Sequence, residues 1–192
     1  MHQIFALIVL FLGFNGSVQD RQLSSRARDL IQALATLQTR PADFQAQEHY
    51  LDTFPHDYKE FLRLFNDVDH ELYDGHEYID ALFLAGTKHE TELGKLLVGL
   101  AKDAHYEADA PSYLQHLTSV YAGRHATTFV GLFGQLPPQR QTQLITFLAD
   151  VENHGSYPEY QAIIDALKQI GEDNLAIRFE KARTKREKQR DH

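Results

Sequence analysis

The sequence predicts an all-α protein of about nine short antiparallel helices in one domain, and three observations carry that expectation. After residue 20 the apolar residues of every segment recur at intervals of three and four, and no segment alternates as a strand would. Pro41, Pro55, Pro111, Pro137-Pro138, Gly86, Gly123, Gly155 and Gly171 cut the chain into helix-sized stretches joined by short connections. The 192 residues contain no cysteine, so the fold rests on a packed core and not on disulfides.

From Leu23 the first helix carries Ala27, Leu30, Ile31, Leu34 and Leu37 on one face, with Ser24 or Ser25 available as its cap. Pro41 opens a second helix with a partial apolar face of Phe44, Tyr50 and Leu51. Pro55 ends it, because the residue before a proline avoids the α region, and Tyr58, Phe61, Leu62 and Phe65 form the stripe of the third. The pattern breaks from Asn66 to Gly75 and resumes at Tyr78, Ile79, Leu82 and Phe83. Thr87 and Glu90 are spaced as a capping box for a helix with Leu93, Leu96, Leu97, Leu100 and Ala101 on its inner face. Gly94 and Gly99 within it invite close approach by a neighbour. Asp109 and Pro111 start a helix that Gly123 closes, and a short helix follows around Phe129 and Phe133. Pro137-Pro138 leads into a helix with Leu144, Ile145, Phe147, Leu148 and Val151 inside, stopped at Gly155. Ser156 and Glu159 form a second capping box ahead of Tyr160, Ile163, Ile164, Leu167 and Ile170, with Gly171 as the stop. The last helix starts near Asp173, buries Leu175, Ile177, Phe179 and Ala182, and then turns polar. A shift of 47 residues superposes Leu97 on Leu144, Leu100 on Phe147, Pro111 on Pro158, Tyr113 on Tyr160 and Leu117 on Ile164. That period matches the length of a HEAT-like helix pair and points to a superhelical α–α stack.

The first twenty residues run apolar from Ile4 to Phe14 and then turn small and polar. Eleven apolar residues fall short of the roughly 20 a spanning helix needs and match the h-region of a secretory signal peptide. The reading is therefore a signal peptide over 1–19, one helical domain over 20–183, and a charged, disordered tail over 184–192. Export without disulfides fits a bacterial periplasm or secretion beyond it. No second apolar run suggests a membrane span in the mature chain. Charge is uneven: residues 178–192 hold seven bases against three acids, a net +4, which leaves −12 over 1–177 of a total of −8. Between Asp43 and Asp109 stand sixteen acids against five bases. A body this acidic repels polyanions, which argues against nucleic-acid binding.

The least generic stretch is Phe54–Leu84, where Asp67, Asp69, His70, Glu71, Asp74, His76, Glu77 and Asp80 crowd together. A calcium loop from Asp67 fails where Leu72 replaces the required glycine and Tyr78 the bidentate glutamate. His70 and His76, six apart, do not share one helix face as zinc-binding histidines do. Three uses stay open: a solvated turn, an acidic protein-binding patch formed by Asp67, Asp69, Glu71, Asp74, Glu77 and Asp80, or a metal site built on His70, Asp74 and His76. No nucleophile elbow, phosphate loop or dinucleotide fingerprint occurs, so no catalytic residue and no cofactor are assigned. Eleven histidines are scattered along the chain, several near helix ends where His105 and His154 read as dipole partners. The many tyrosines serve either core packing or an interface.

Phe54-Pro55, Phe61 and Phe65, then Leu72-Tyr73-Asp74 with Tyr78-Ile79, then Ala108-Asp109-Ala110 with Tyr113-Leu114, resemble a pattern of uncharacterised bacterial all-helical proteins. The resemblance covers Phe54–Tyr121 and implies an all-helical fold with no catalytic residue. In class, though not in motif, the profile is also similar to periplasmic immunity proteins that neutralise secreted toxins. The function expected is a non-enzymatic exported binding protein, an immunity-type inhibitor of a basic toxin being one form. The alternatives are a metal-dependent hydrolase using His70, Asp74, His76 and a distant histidine, and a helical scaffold subunit.

Overall fold

The computed structural model describes residues 23–66, 71–72, 75–106, 109–150 and 157–190. Among them ten α-helices follow one another and no strand occurs. These are α1 (Ser25–Thr39), α2 (Phe44–Thr53), α3 (Tyr58–Phe65), α4 (Gly75–Ala85) and α5 (Glu90–Ala101), then α6 (Ala110–Arg124), α7 (Ala126–Gly134), α8 (Pro138–Ala149), α9 (Pro158–Gln169) and α10 (Asp173–Arg190). The predicted signal peptide, Val151, His154, Gly155 and Ser156 lie outside the described residues. No described helix is long and apolar enough to cross a membrane.

Local chemistry explains most helix starts. Ser24 Oγ accepts the Ala27 N–H at 3.2 Å, an Asp43 carboxylate oxygen accepts from Ala46 at 2.8 Å, and one from Asp57 accepts from Glu60 at 2.9 Å. Each such cap is worth about 1 kcal/mol. The second helix thus starts behind Asp43 and not at Pro41, because a carboxylate satisfies free N–H groups that proline leaves alone. The capping box predicted at Thr87 and Glu90 does not form. Thr87 Oγ1 instead donates to the Leu84 carbonyl and accepts from Gln47 Nε2, and His89 takes the cap position without a side-chain capping bond, its ring Nε2 lying 3.1 Å from the Phe44 carbonyl. Pro111, Pro138 and Pro158 each stand in a first turn, where their missing N–H costs nothing. The break predicted at Gly123 falls at His125: Gly123 stays helical because the backbone of α9 approaches there, and a Cβ on it would stand 3.4 Å from that of Ala162. Gly171, at φ +81°, closes α9 in the left-handed region as predicted.

Helices pack in parallel on partners that skip along the chain. His76 meets Tyr113 and Phe83 lies under Arg124, so α4 and α6 advance together. His116 pairs with Glu159 while Gly123 lies against Ala162, which sets α6 parallel to α9. Glu90 meets Thr128 and Gly94 faces Leu132, pairing α5 with α7. Arg178 reaches Gln141 and Arg186 reaches Asp150, pairing α8 with α10. Two ranks result, one of α4, α6 and α9 and the other of α5, α7, α8 and α10. In the first rank α6 is central and touches α3, α4, α5, α7, α8 and α9. The 47-residue echo relates α5–α6 to α8–α9, and it weakens at Tyr113, which is exposed where Tyr160 is buried. One apolar cluster runs continuously from Ala27 to Phe179.

The predicted disordered tail is helical as far as Arg190, since α10 continues through Thr184. An Arg183–Glu187 pair one turn apart and the Arg186–Asp150 bridge to α8 support it.

Candidate functional site

The corner between α3 and α4 is built by close approach. Leu72 donates its N–H to the Leu64 carbonyl at 3.0 Å, which folds the connection back on α3. Gly75 then opens α4 against the Phe65 ring, where an added Cβ would stand 3.2 Å from that of Phe65. Phe54, Phe61, Phe65 and Tyr78 stack through this corner at centroid distances of 5.3–6.4 Å, and the first three are buried. The aromatic pattern therefore serves packing here, and the polar groups are left at the rim.

Those rim groups have separate fates. Glu71 accepts the Ser24 N–H at 2.7 Å and pairs with Arg63, tying α1 and α3 together. Burial opposes its charge, but the bonds from Ser24 and the Arg63 guanidinium prevail and hold the carboxyl below its ordinary value. Glu77 and Asp80 stand exposed on successive turns of one face of α4, with Leu84 one turn further, also exposed. Asp67, Asp69, His70 and Asp74 lie outside the described residues. His76 is exposed, its ring 5.8 Å from that of Tyr113. Among the described residues no group of three or more His, Asp or Glu side chains is placed to hold a metal ion.

Beside His76 opens a cleft of about 390 Å³ whose polar lining is Asn66, His76, Asp109 and Tyr113. Asp109 adopts φ 65° and ψ −129°, a conformation that L-residues rarely hold and that costs about 1–3 kcal/mol. Its carbonyl accepts from the Ser112 N–H and Oγ, which starts α6 without help from its own carboxylate. In the sequence Asp109 reads as an ordinary helix start. The one signal available was that a proline two residues on leaves the turn before it to be shaped by other groups.

A second polar region lies at the opposite sign of charge. Between α8 and α10 runs a groove of about 420 Å³ floored by Ile145 and Ala182 and rimmed by Arg178, Lys181, Lys185 and Arg186. Arg178 donates to Gln141 and lies 5.3 Å over the Phe133 ring, and Arg186 bridges to Asp150 at 2.7 Å. From the sequence this stretch reads as a solvated helix end or as a segment packed against the acidic belt; the groove is not legible there because it needs α8 beside α10.

Elsewhere buried tyrosines direct their hydroxyls to backbone carbonyls: Tyr50 to Tyr78 at 2.6 Å, Tyr121 to Glu90 at 3.1 Å and Tyr160 to Phe179 at 2.8 Å. Burial raises all three phenols, Tyr121 to about 12. Such groups stay neutral in any physiological medium and act as donors, not as bases.

No protein-family model matches the chain, and neither a curated protein nor a solved structure is significantly similar to it.

Proposed function

We propose that this is a non-enzymatic, exported helical binding protein whose acidic α4 face receives a cationic protein partner. An immunity-type inhibitor of a basic secreted toxin is the form that best fits the reading. The observation that carries it is the pairing of Glu77 and Asp80 on one exposed face of α4, with Leu84 beside them and no cation bound to either carboxylate among the described residues. Glu71, three strides away in the same acidic stretch, is spent on Ser24 and Arg63, so the free charge is concentrated where a partner can reach it. An acidic patch around an exposed apolar side chain steers a basic partner and gives it something to bury. Asp67, Asp69 and Asp74 would extend the same patch. The arrangement of two ranks supports a short HEAT-like stack as its scaffold.

The test uses the mature protein as bait in envelope extract at low salt, beside a Glu77→Lys/Asp80→Lys bait. The expected result is a basic protein held at near equal stoichiometry by the wild type, released by salt, and absent from the charge-reversed bait. Identical captures by both baits would contradict the proposal.

A further inference from the structure

We propose that the cationic stripe on α10 docks the acidic α4 face of a second copy of this chain, head to tail. Lys181, Lys185 and Lys188 fall four and three residues apart on one face of α10. Among the described residues none of the three has a carboxylate partner, whereas Lys168, Arg183 and Arg186 are paired with Glu180, Glu187 and Asp150. Lys181 and Lys185 border the groove floored by Ile145 and Ala182, and all three lysines line a neighbouring cleft beside Ile177, so cations stand beside apolar surface. A matching occupant carries carboxylates at helical spacing and an apolar side chain at one end.

The chain itself carries that pattern. Glu77, Asp80 and Leu84 form an exposed row on α4, and Leu84 is 36% exposed. Glu77 and Asp80 stand three residues apart, as Lys185 and Lys188 do, so these two pairs of charges can face one another along about 4.5 Å of helix. The wider fields are opposite in sign: sixteen acids against five bases over 43–109, and seven bases against three acids over 178–192. Because α4 packs on α2 and α6 while α10 packs on α8 and α9, the two rows belong to different parts of the stack. Contact between them is heterologous, which builds open chains of copies and not a closed two-fold dimer. The inference stands apart from the cationic partner proposed above, although both use the α4 face. Reversing the lysines disables only the self-contact.

Sedimentation velocity on the full chain tests it at about 0.02 M and about 0.5 M salt, where the screening length falls several-fold. The wild type is expected to form concentration-dependent oligomers at low salt and to return to monomer at high salt. Lys181→Glu/Lys185→Glu/Lys188→Glu and Glu77→Lys/Asp80→Lys are each expected to be monomeric alone. Mixed in equal amounts they should assemble again, because the intact α4 face of one meets the intact α10 stripe of the other and the two reversed faces are complementary as well. A triple Lys→Gln variant serves if the charge-reversed stripe does not fold. A wild type that stays monomeric at low salt and high concentration overturns the proposal, as does a mixture that does not assemble or single variants that assemble like the wild type.

Discussion

The centre of the stack and its C-terminal helix are both regular α-structure, but different forces hold them. Around α5, α6 and α9, buried tyrosines donate to carbonyls of neighbouring helices, and Gln115 Nε2 donates to the Phe147 carbonyl from a buried position. Along the second half of α10 the ties are exposed or half-exposed ion pairs, Arg183 with Glu187 and Arg186 with Asp150. A buried donor that loses its carbonyl is stranded in an apolar surrounding, whereas a surface ion that loses its partner regains water. The centre therefore sets the stability of the molecule, and the end is free to carry charge for other uses.

Truncation at the centre should show the largest effect. Tyr121 is fully buried against Gly94, and Tyr121→Ala removes both its ring packing and its bond to Glu90. A loss of about 3–5 kcal/mol is expected in urea unfolding. Tyr121→Phe keeps the ring and should lose about 1 kcal/mol.

Two glycines in one helix sharpen the contrast further. A Cβ at Gly94 would overlap the Tyr121 hydroxyl and stand 2.9 Å from a Leu132 methyl, so Gly94→Ala should destabilise by about 1–3 kcal/mol. Gly99 has nothing within 4 Å of the same added atom. Gly99→Ala should therefore gain about 0.5–1 kcal/mol from helix propensity alone. Thermal melts of the two variants, expected to shift in opposite directions, check the pair.

A good part of this division was legible in the sequence. The period of Leu30, Leu34 and Leu37 in α1, and of Leu93, Leu97 and Leu100 in α5, named residues that are buried, because burial of a helix face is a repeating, local signal. Ile31, Ile170 and Ile177 are exceptions: predicted inside, they are 37%, 41% and 42% exposed, and in α1 Ala33 faces the core instead of Ile31. What stayed hidden was set by partners far away in the chain. Thr87 could not be known to accept from Gln47 forty residues earlier, and that bond disposed of the expected capping box. Glu71 looked like a member of a surface patch until α1 placed the Ser24 N–H against it. The groove beneath Lys181 and Lys185 likewise exists only because α8 lies alongside α10.

Acid titration probes the tie at Glu71. Its carboxyl is held below the ordinary 4.5, so its contribution is present above that pH and is lost as pH falls through the folded value. Glu71→Gln should be less stable than the wild type near neutrality, and the gap should close as pH falls below the ordinary 4.5 and through the lower folded value. Stability curves at several pH values test this; a gap that widens in acid would contradict it.

The smallest effect is expected on α10. Arg183→Ala breaks only the exposed bridge to Glu187 and should change stability by no more than about 0.5 kcal/mol. Helical content by circular dichroism should also stay nearly constant, so a large loss there would mean that the end of α10 supports the stack.

The most direct measurement of the proposed function is a binding isotherm of the captured basic partner against the wild type and the Glu77→Lys/Asp80→Lys variant, each with a thermal melt. Affinity should weaken roughly tenfold or more, with a steeper loss in the association rate than in the dissociation rate, while the melting temperature stays put. Equal affinity in a folded variant would place the contact surface somewhere other than the acidic face of α4.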